Sequence, residues 1–234
     1  MAIKKRIKEL SFDLKDVIRD IVFGMEDGLI SNLGLVLGVA ASGAPNVDVL
    51  IAGFASLFAG AVSMTAGDYL STKSQREALD AQLATEEQKL CTTKNECQIL
   101  GRIYRQARFT DKELRHFVRH LNTHKKLALK VLAEEELGIV PEKFENPVRG
   151  AVTIFIAYLL GAILPIMPFF FENTKFASAV SLAATGLTLF TIGAYKTKIT
   201  KRNWVKSGLE MLTVALLAAV AGYVIGYLFG VQLS

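Results

Sequence analysis

Two adjacent carboxylates, Glu26 and Asp27, stand in the stretch FGMEDGLISNLGLVLG (Phe23–Gly38), which is otherwise uncharged. A carboxylate at hydrocarbon depth costs about 2.5–3.5 kcal/mol to insert, so it faces a cavity, reaches back to the interface or pairs with a cation such as the nearby Arg19. Helical spacing puts Asp16, Asp20 and Asp27 on roughly one face, with Gly24, Ser31 and Gly38 on or beside it. A second stretch, AGAVSMTAGDYLSTKSQRE from Ala59, sets Met64 among small residues and Asp68 one turn further on. A methionine in such a helix is usually filler. Beside carboxylates its thioether is also a soft, uncharged ligand, suited to transition metals rather than to Mg²⁺ or Ca²⁺. Burial keeps a proton on a carboxyl group and a bound cation drives it off, so such groups can exchange metal for protons.

The elements that must position these groups are membrane helices. Of 234 residues, 51% are hydrophobic, and mean hydropathy is +0.35. Charge is confined to blocks separated by the uncharged runs Val49–Gly67, Gly150–Phe171, Phe176–Tyr195 and Met211–Ser234. Each run can cross a hydrocarbon core of about 30 Å, and a fifth span lies in the opening stretch. The composition ASGAPN (Ala41–Asn46) predicts a turn that ends the first span. Counting about 20 residues back from it places Glu26 and Asp27 inside that span. Gly24 and Gly28, then Gly34 and Gly38, permit close approach of another helix, within the chain or across a dimer. Gly53, Gly60 and Gly67 form a similar stripe on the second span.

The net charge of +5 reads as topology rather than nucleic-acid binding. Six Lys/Arg precede the first span, fifteen lie between Lys73 and Arg149, and five lie in Lys196–Lys206, against Lys175 alone between the third and fourth spans. The positive-inside rule then gives a cytoplasmic N-terminus and a C-terminus outside, with Trp204 as an interfacial anchor. No cleavable signal is legible, and the short termini point to a prokaryotic cell membrane. Cys91 and Cys97 match neither a disulfide framework nor a zinc motif. No nucleophile–base pair or phosphate loop is present, so the chain reads as no enzyme, without ATP chemistry or a permanently bound cofactor.

The fold class is therefore an all-α integral membrane protein: five transmembrane helices with a cytoplasmic helical insert between spans 2 and 3. Residues 1–71 hold the N-terminal segment and spans 1 and 2, residues 72–146 a three-helix insert, and residues 147–234 spans 3 to 5. Within the insert, Thr110 and Glu113 form a capping box. All three histidines, His116, His120 and His124, recur every fourth residue on one helix face, a spacing that can chelate a metal. Arg115, Arg119, Lys125 and Lys126 surround them and oppose a dication.

Taken together, DIVFGMEDGLIS, AGAVSMTAGDYLSTKSQRE, GAILPIMPFF and SGLEMLTVALLAAVAGYVIGYLFG resemble the vacuolar iron transporter family, the CCC1-like membrane transporters. The resemblance implies removal of Fe²⁺, and often Mn²⁺, from the cytoplasm in exchange for H⁺. It also implies a homodimer in the lipid bilayer whose first helices line the path. Asp27 and Met64 would then be the in-membrane ligands, and Asp16 and Asp20 would guide ions to the inner mouth. The insert would collect metal through Glu86, Glu87, Glu96, Glu135 and Glu136, with Glu134 beside them. Two positions depart from the family pattern: Ser56 replaces a glutamate common in span 2, and Glu26 replaces a usually uncharged residue. Glu26 is expected to replace part of the missing charge. A passive cation channel and a metal-responsive membrane protein without transport are the rival functions.

Overall fold

In a computed structural model, residues 2–92, 146–171 and 173–233 are described, and they are helical throughout apart from short turns. The helices are α1 (Ala2–Ala41), α2 (Asn46–Thr92), α3 (Pro147–Ile166), α4 (Thr174–Thr200) and α5 (Trp204–Leu233), with a 3₁₀ turn at Met167–Phe170. Five segments are long and apolar enough to cross a membrane: Val17–Ala41, Asn46–Thr85, Pro147–Phe170, Thr174–Lys198 and Trp204–Gly230. The turn expected at Ala41–Asn46 is present, and Gly43 supplies its left-handed residue at φ 86°. The last helix starts earlier than the uncharged run at Met211, because Lys206 and Glu210 are exposed on its first turns. Pro165 and Pro168 lie at the end of α3, where backbone donors are missing and the helix tightens into the 3₁₀ turn.

The chain divides into two compact units, one of Met1–Tyr69 with Pro147–Ser234 and one of Leu70–Asn146. In the second, α2 carries an i,i+4 ion pair between Lys73 and Glu77 at 3.7 Å. Most of the 72–146 insert, including Glu96, Glu135, Glu136, His116, His120 and His124, lies outside the described residues.

In the first unit α1 is the central element, and small residues decide its neighbours. A Cβ on Gly24 would stand 2.9 Å from the Ile154 carbonyl oxygen, and one on Gly28 would stand 2.9 Å from the Ala162 nitrogen. On another face, a Cβ on Gly34 would meet the Ala218 carbonyl oxygen at 3.1 Å, and one on Gly38 that of Gly222 at 2.9 Å. Both glycine pairs of α1 are thus occupied within the chain, against α3 and against α5, where van der Waals contact between backbones replaces side-chain packing.

Helix α2 is held differently. Gly53 faces the side chains of Ile166 and Val36, while Gly67 has nothing within 4 Å of where a Cβ would stand. Val49, Leu57 and Ala61 of α2 join Val36, Tyr158, Ala162 and Ile166 in one core cluster. Leu29, Leu33 and Leu37 of α1 join Leu189, Met211, Ala215 and Ala219 in another.

Candidate functional site

Along its face toward α3, helix α1 carries polar groups at three levels. Asp20 is at the first, only 5% exposed, and Arg19 donates to its Oδ1 from Nη2 at 3.0 Å and from Nε at 3.2 Å. Asp68 reaches the same place from α2: a Cβ on Gly150 would stand 3.0 Å from Asp68 Oδ2 and 3.5 Å from Asp20 Oδ2. Gly150 is in the first turn of α3, where unsatisfied backbone N–H groups and the helix dipole favour negative charge. The two carboxylates therefore converge on a helix N-terminus, and a side chain at position 150 would crowd both.

Asp27 follows about 10 Å further along α1. It is exposed, and Glu26 beside it is half-buried. Neither carboxylate makes a hydrogen bond or ion pair among the described residues, and Arg19, the nearest candidate in sequence, is engaged with Asp20. The backbone at this level is tied in: the Asp27 carbonyl accepts a hydrogen bond from the Ser31 hydroxyl.

The third level is a buried polar knot around Tyr158 of α3, which is 2% exposed. Its hydroxyl lies 3.3 Å from Ser31 Oγ and accepts from Asn32 Nδ2 at 3.3 Å. Asn32 Nδ2 also donates to the Gly28 carbonyl at 3.1 Å. Opposite, on α2, Gly60 leaves the room the hydroxyl needs, since a Cβ there would overlap it. Asn32 is fully buried, yet its Oδ1 has no hydrogen-bond partner among the described residues, a deficit of about 1–3 kcal/mol. Met64, one turn beyond Gly60, is half-buried and packs on the same cluster as Tyr158.

Asp20 and Asp68 thus flank one backbone position, whereas Asp27 is exposed and Met64 packs on the cluster that contains Tyr158. Asp16, Glu86 and Glu87 lie on α1 and α2, where the backbone alone is described. Among the described residues no three histidine, cysteine or acidic side chains gather as a closed metal site. Tyr158 and Asn32 were not foreseen; the available signal was that each is a hydrogen-bonding side chain within a largely apolar run.

A groove of about 520 Å³ runs along the outer side of α1 and α5, lined by Ser31, Gly34, Leu35 and Gly38 and by Gly222, Gly226 and Phe229, among others. It is open, almost wholly apolar, and begins one turn from Asp27.

The sequence profile of the VIT family matches residues 18–227. Vacuolar iron transporter 1 of Tulipa gesneriana is 30% identical, over 92% of this chain and 88% of its own length. Protein CCC1 of Saccharomyces cerevisiae is 30% identical, over 92% of this chain and 69% of its own length. The vacuolar iron transporter of Plasmodium berghei is 26% identical, over 94% of this chain and 83% of its own. The profile match begins within α1, ends within α5 and takes in all three polar levels described above, so this chain belongs to the VIT family.

Proposed function

We propose that this chain is a membrane transporter that moves Fe²⁺ out of the cytoplasm in exchange for protons, with Mn²⁺ as a second substrate. The observation that carries the path is the pairing of Asp20 with Asp68 at the foot of α3, below an Asp27 carboxylate without a counter-charge among the described residues. A dication attracted to the first pair meets oxygen ligands there. It then passes to Asp27, where Met64 adds a soft ligand that suits iron better than Mg²⁺ or Ca²⁺. Protonation of the same carboxylates favours release, which makes the site an exchanger rather than a sink.

The relatives named vacuolar iron transporter support iron as the cargo, and the five long apolar helices support the membrane. The vacuole in those names gives no support to a prokaryotic cell membrane. A cytoplasmic N-terminus follows from the distribution of Lys and Arg. A homodimer through α1 is supported by the exposure of Asp27 beside the apolar groove, because a second copy would remove both from lipid. The Gly24 and Gly28 pair does not carry that interface, being filled by α3, whereas Gly34 and Gly38 pack on α5 and also line the groove. A metal-collecting insert over 72–146, with Glu86, Glu87, Glu96, Glu135 and Glu136, is part of the same proposal.

The test is entry of Fe²⁺ into proteoliposomes holding a metal-quenched dye, with and without an imposed pH gradient. Uptake that requires the gradient and is lost in Asp27→Asn supports proton exchange. Uptake indifferent to the gradient indicates a channel, and no uptake of Fe²⁺ or Mn²⁺ by folded wild type removes the transport reading.

A further inference from the structure

The turn between α4 and α5 concentrates positive charge in a way that the transport path does not use. Lys196, Lys198, Lys201, Arg202 and Lys206 fall within eleven residues, and among the described residues none of them makes an ion pair. Four are exposed and Lys196 is half-buried. From residue 173 onward the sequence holds a single acidic residue, Glu210, so α4 and α5 together offer one carboxylate against five cations.

The turn is tightly built. Lys201 takes the left-handed conformation at φ 53° as the C-cap of α4, and its N–H bonds the Thr197 carbonyl at 2.8 Å. The side chain of Asn203 accepts from the backbone N–H of Val205 at 2.9 Å and of Lys206 at 3.3 Å, which caps α5. Two aromatic side chains flank the cations. Tyr195 is 65% exposed with Lys198 Nζ 4.7 Å from its ring centre, and Trp204 is 58% exposed with its ring edge-on to Phe190 at 6.3 Å. The candidate spans end at Lys198 and resume at Trp204, so the turn sits at the level of lipid headgroups.

We propose that the α4–α5 turn is a binding surface for anionic phospholipid headgroups. Five cations held at the edge of two spans, without an ion pair among the described residues and between exposed aromatic rings, match a layer of phosphate groups in charge and in depth. The aromatic rings seat at the interface and the ammonium and guanidinium groups take the phosphates.

Trp204 is the chain's only tryptophan and stands in the turn, so its emission reports lipid at this place. The full chain is reconstituted in mixed bilayers containing either brominated phosphatidylglycerol or brominated phosphatidylcholine, and quenching of Trp204 is measured against the brominated fraction. The expected result is a roughly three- to tenfold higher relative association of phosphatidylglycerol, shrinking as ionic strength rises toward about 1 M. The combined variant Lys198→Gln, Lys201→Gln, Arg202→Gln is expected to lose the preference, while Lys175→Gln, between α3 and α4, keeps it. Equal quenching by the two lipids in wild type overturns the proposal, as does a preference that survives high salt or the combined variant. If free glycerol phosphate at millimolar concentration abolishes the preference, the turn is a site for soluble phosphate and the lipid assignment is also overturned. Should the variant fail to insert, the wild-type lipid comparison and salt series still decide the matter.

Discussion

Asp20 and Asp68, from different helices, point their Oδ2 atoms at the same backbone position, Gly150 in the first turn of α3. The convergence depends on the absent side chain as much as on the two acids. Gly150→Ala would place a methyl group 3.0 Å from one carboxylate and 3.5 Å from the other. The expected outcome is a several-fold rise in the KM for Fe²⁺ with little change in maximal rate. Proteoliposome uptake over a range of Fe²⁺ concentrations checks it, and an unchanged KM removes Asp20 and Asp68 from the path.

Asp27 and Glu26 adjoin in sequence, yet the proposed path gives them different weight. Asp27→Asn is expected to abolish gradient-driven uptake. Glu26→Gln is expected to reduce it several-fold, because Ser56 leaves α2 without the acid common in the family. Adding Ser56→Glu to Glu26→Gln should restore part of the rate. Full activity in Glu26→Gln would show that no compensation exists.

Gly60 and Gly67 occupy equivalent places in the stripe on α2, yet their substitutions should differ in sign. Gly60→Ala drives a methyl group into the Tyr158 hydroxyl and is expected to lower the melting temperature in detergent. Gly67→Ala meets open space and gains about 1 kcal/mol of helix propensity, so it should leave the melt unchanged or raise it. Equal effects at the two positions would contradict the placement of Tyr158.

Tyr158→Phe removes the acceptor of the Asn32 amide and the partner of Ser31 while keeping the ring. Leaving buried polar groups unpaired costs about 1–3 kcal/mol. A drop toward the lower end of that range in denaturant or thermal unfolding is expected, because Asn32 Nδ2 keeps its bond to the Gly28 carbonyl. Asn32→Leu in the Tyr158→Phe background should recover part of it by removing the unpaired Oδ1.

Much of this architecture is legible in the residues. Uncharged runs bounded by blocks of Lys and Arg define the five spans, because no other chemistry tolerates hydrocarbon. Ala41–Asn46 reads as a turn from Gly43 and Pro45 alone. Partners are harder to read. The spacing of Gly24, Gly28, Gly34 and Gly38 announces close contact but carries no record of what comes close, and the answer lies more than a hundred residues away, in Ala157, Ala162, Ala218 and Gly222. Arg19 shows a related limit: it is a plausible counter-ion for Glu26, and only the side-chain geometry assigns it to Asp20. Tyr158 stood in plain view as a hydroxyl in an apolar run, but its placement depends on the cleared space at Gly60 across the core.

The seating of α1 between α3 and α5 has a consequence for how the protein is made. Helix α1 is synthesised before the helices that cover it, and its glycine faces have to wait for partners that follow a long intervening stretch of chain. Gly24 and Gly28 find cover only when α3 inserts, and Gly34 and Gly38 only when α5 arrives. Throughout synthesis Asn32 and Asp27 therefore sit in a helix without its companions, at the depth where polar groups are least welcome. A chain truncated after α4 keeps four apolar helices yet leaves half of the α1 glycine surface facing lipid. Assembly of this unit therefore waits for α5, which closes the second glycine face of α1.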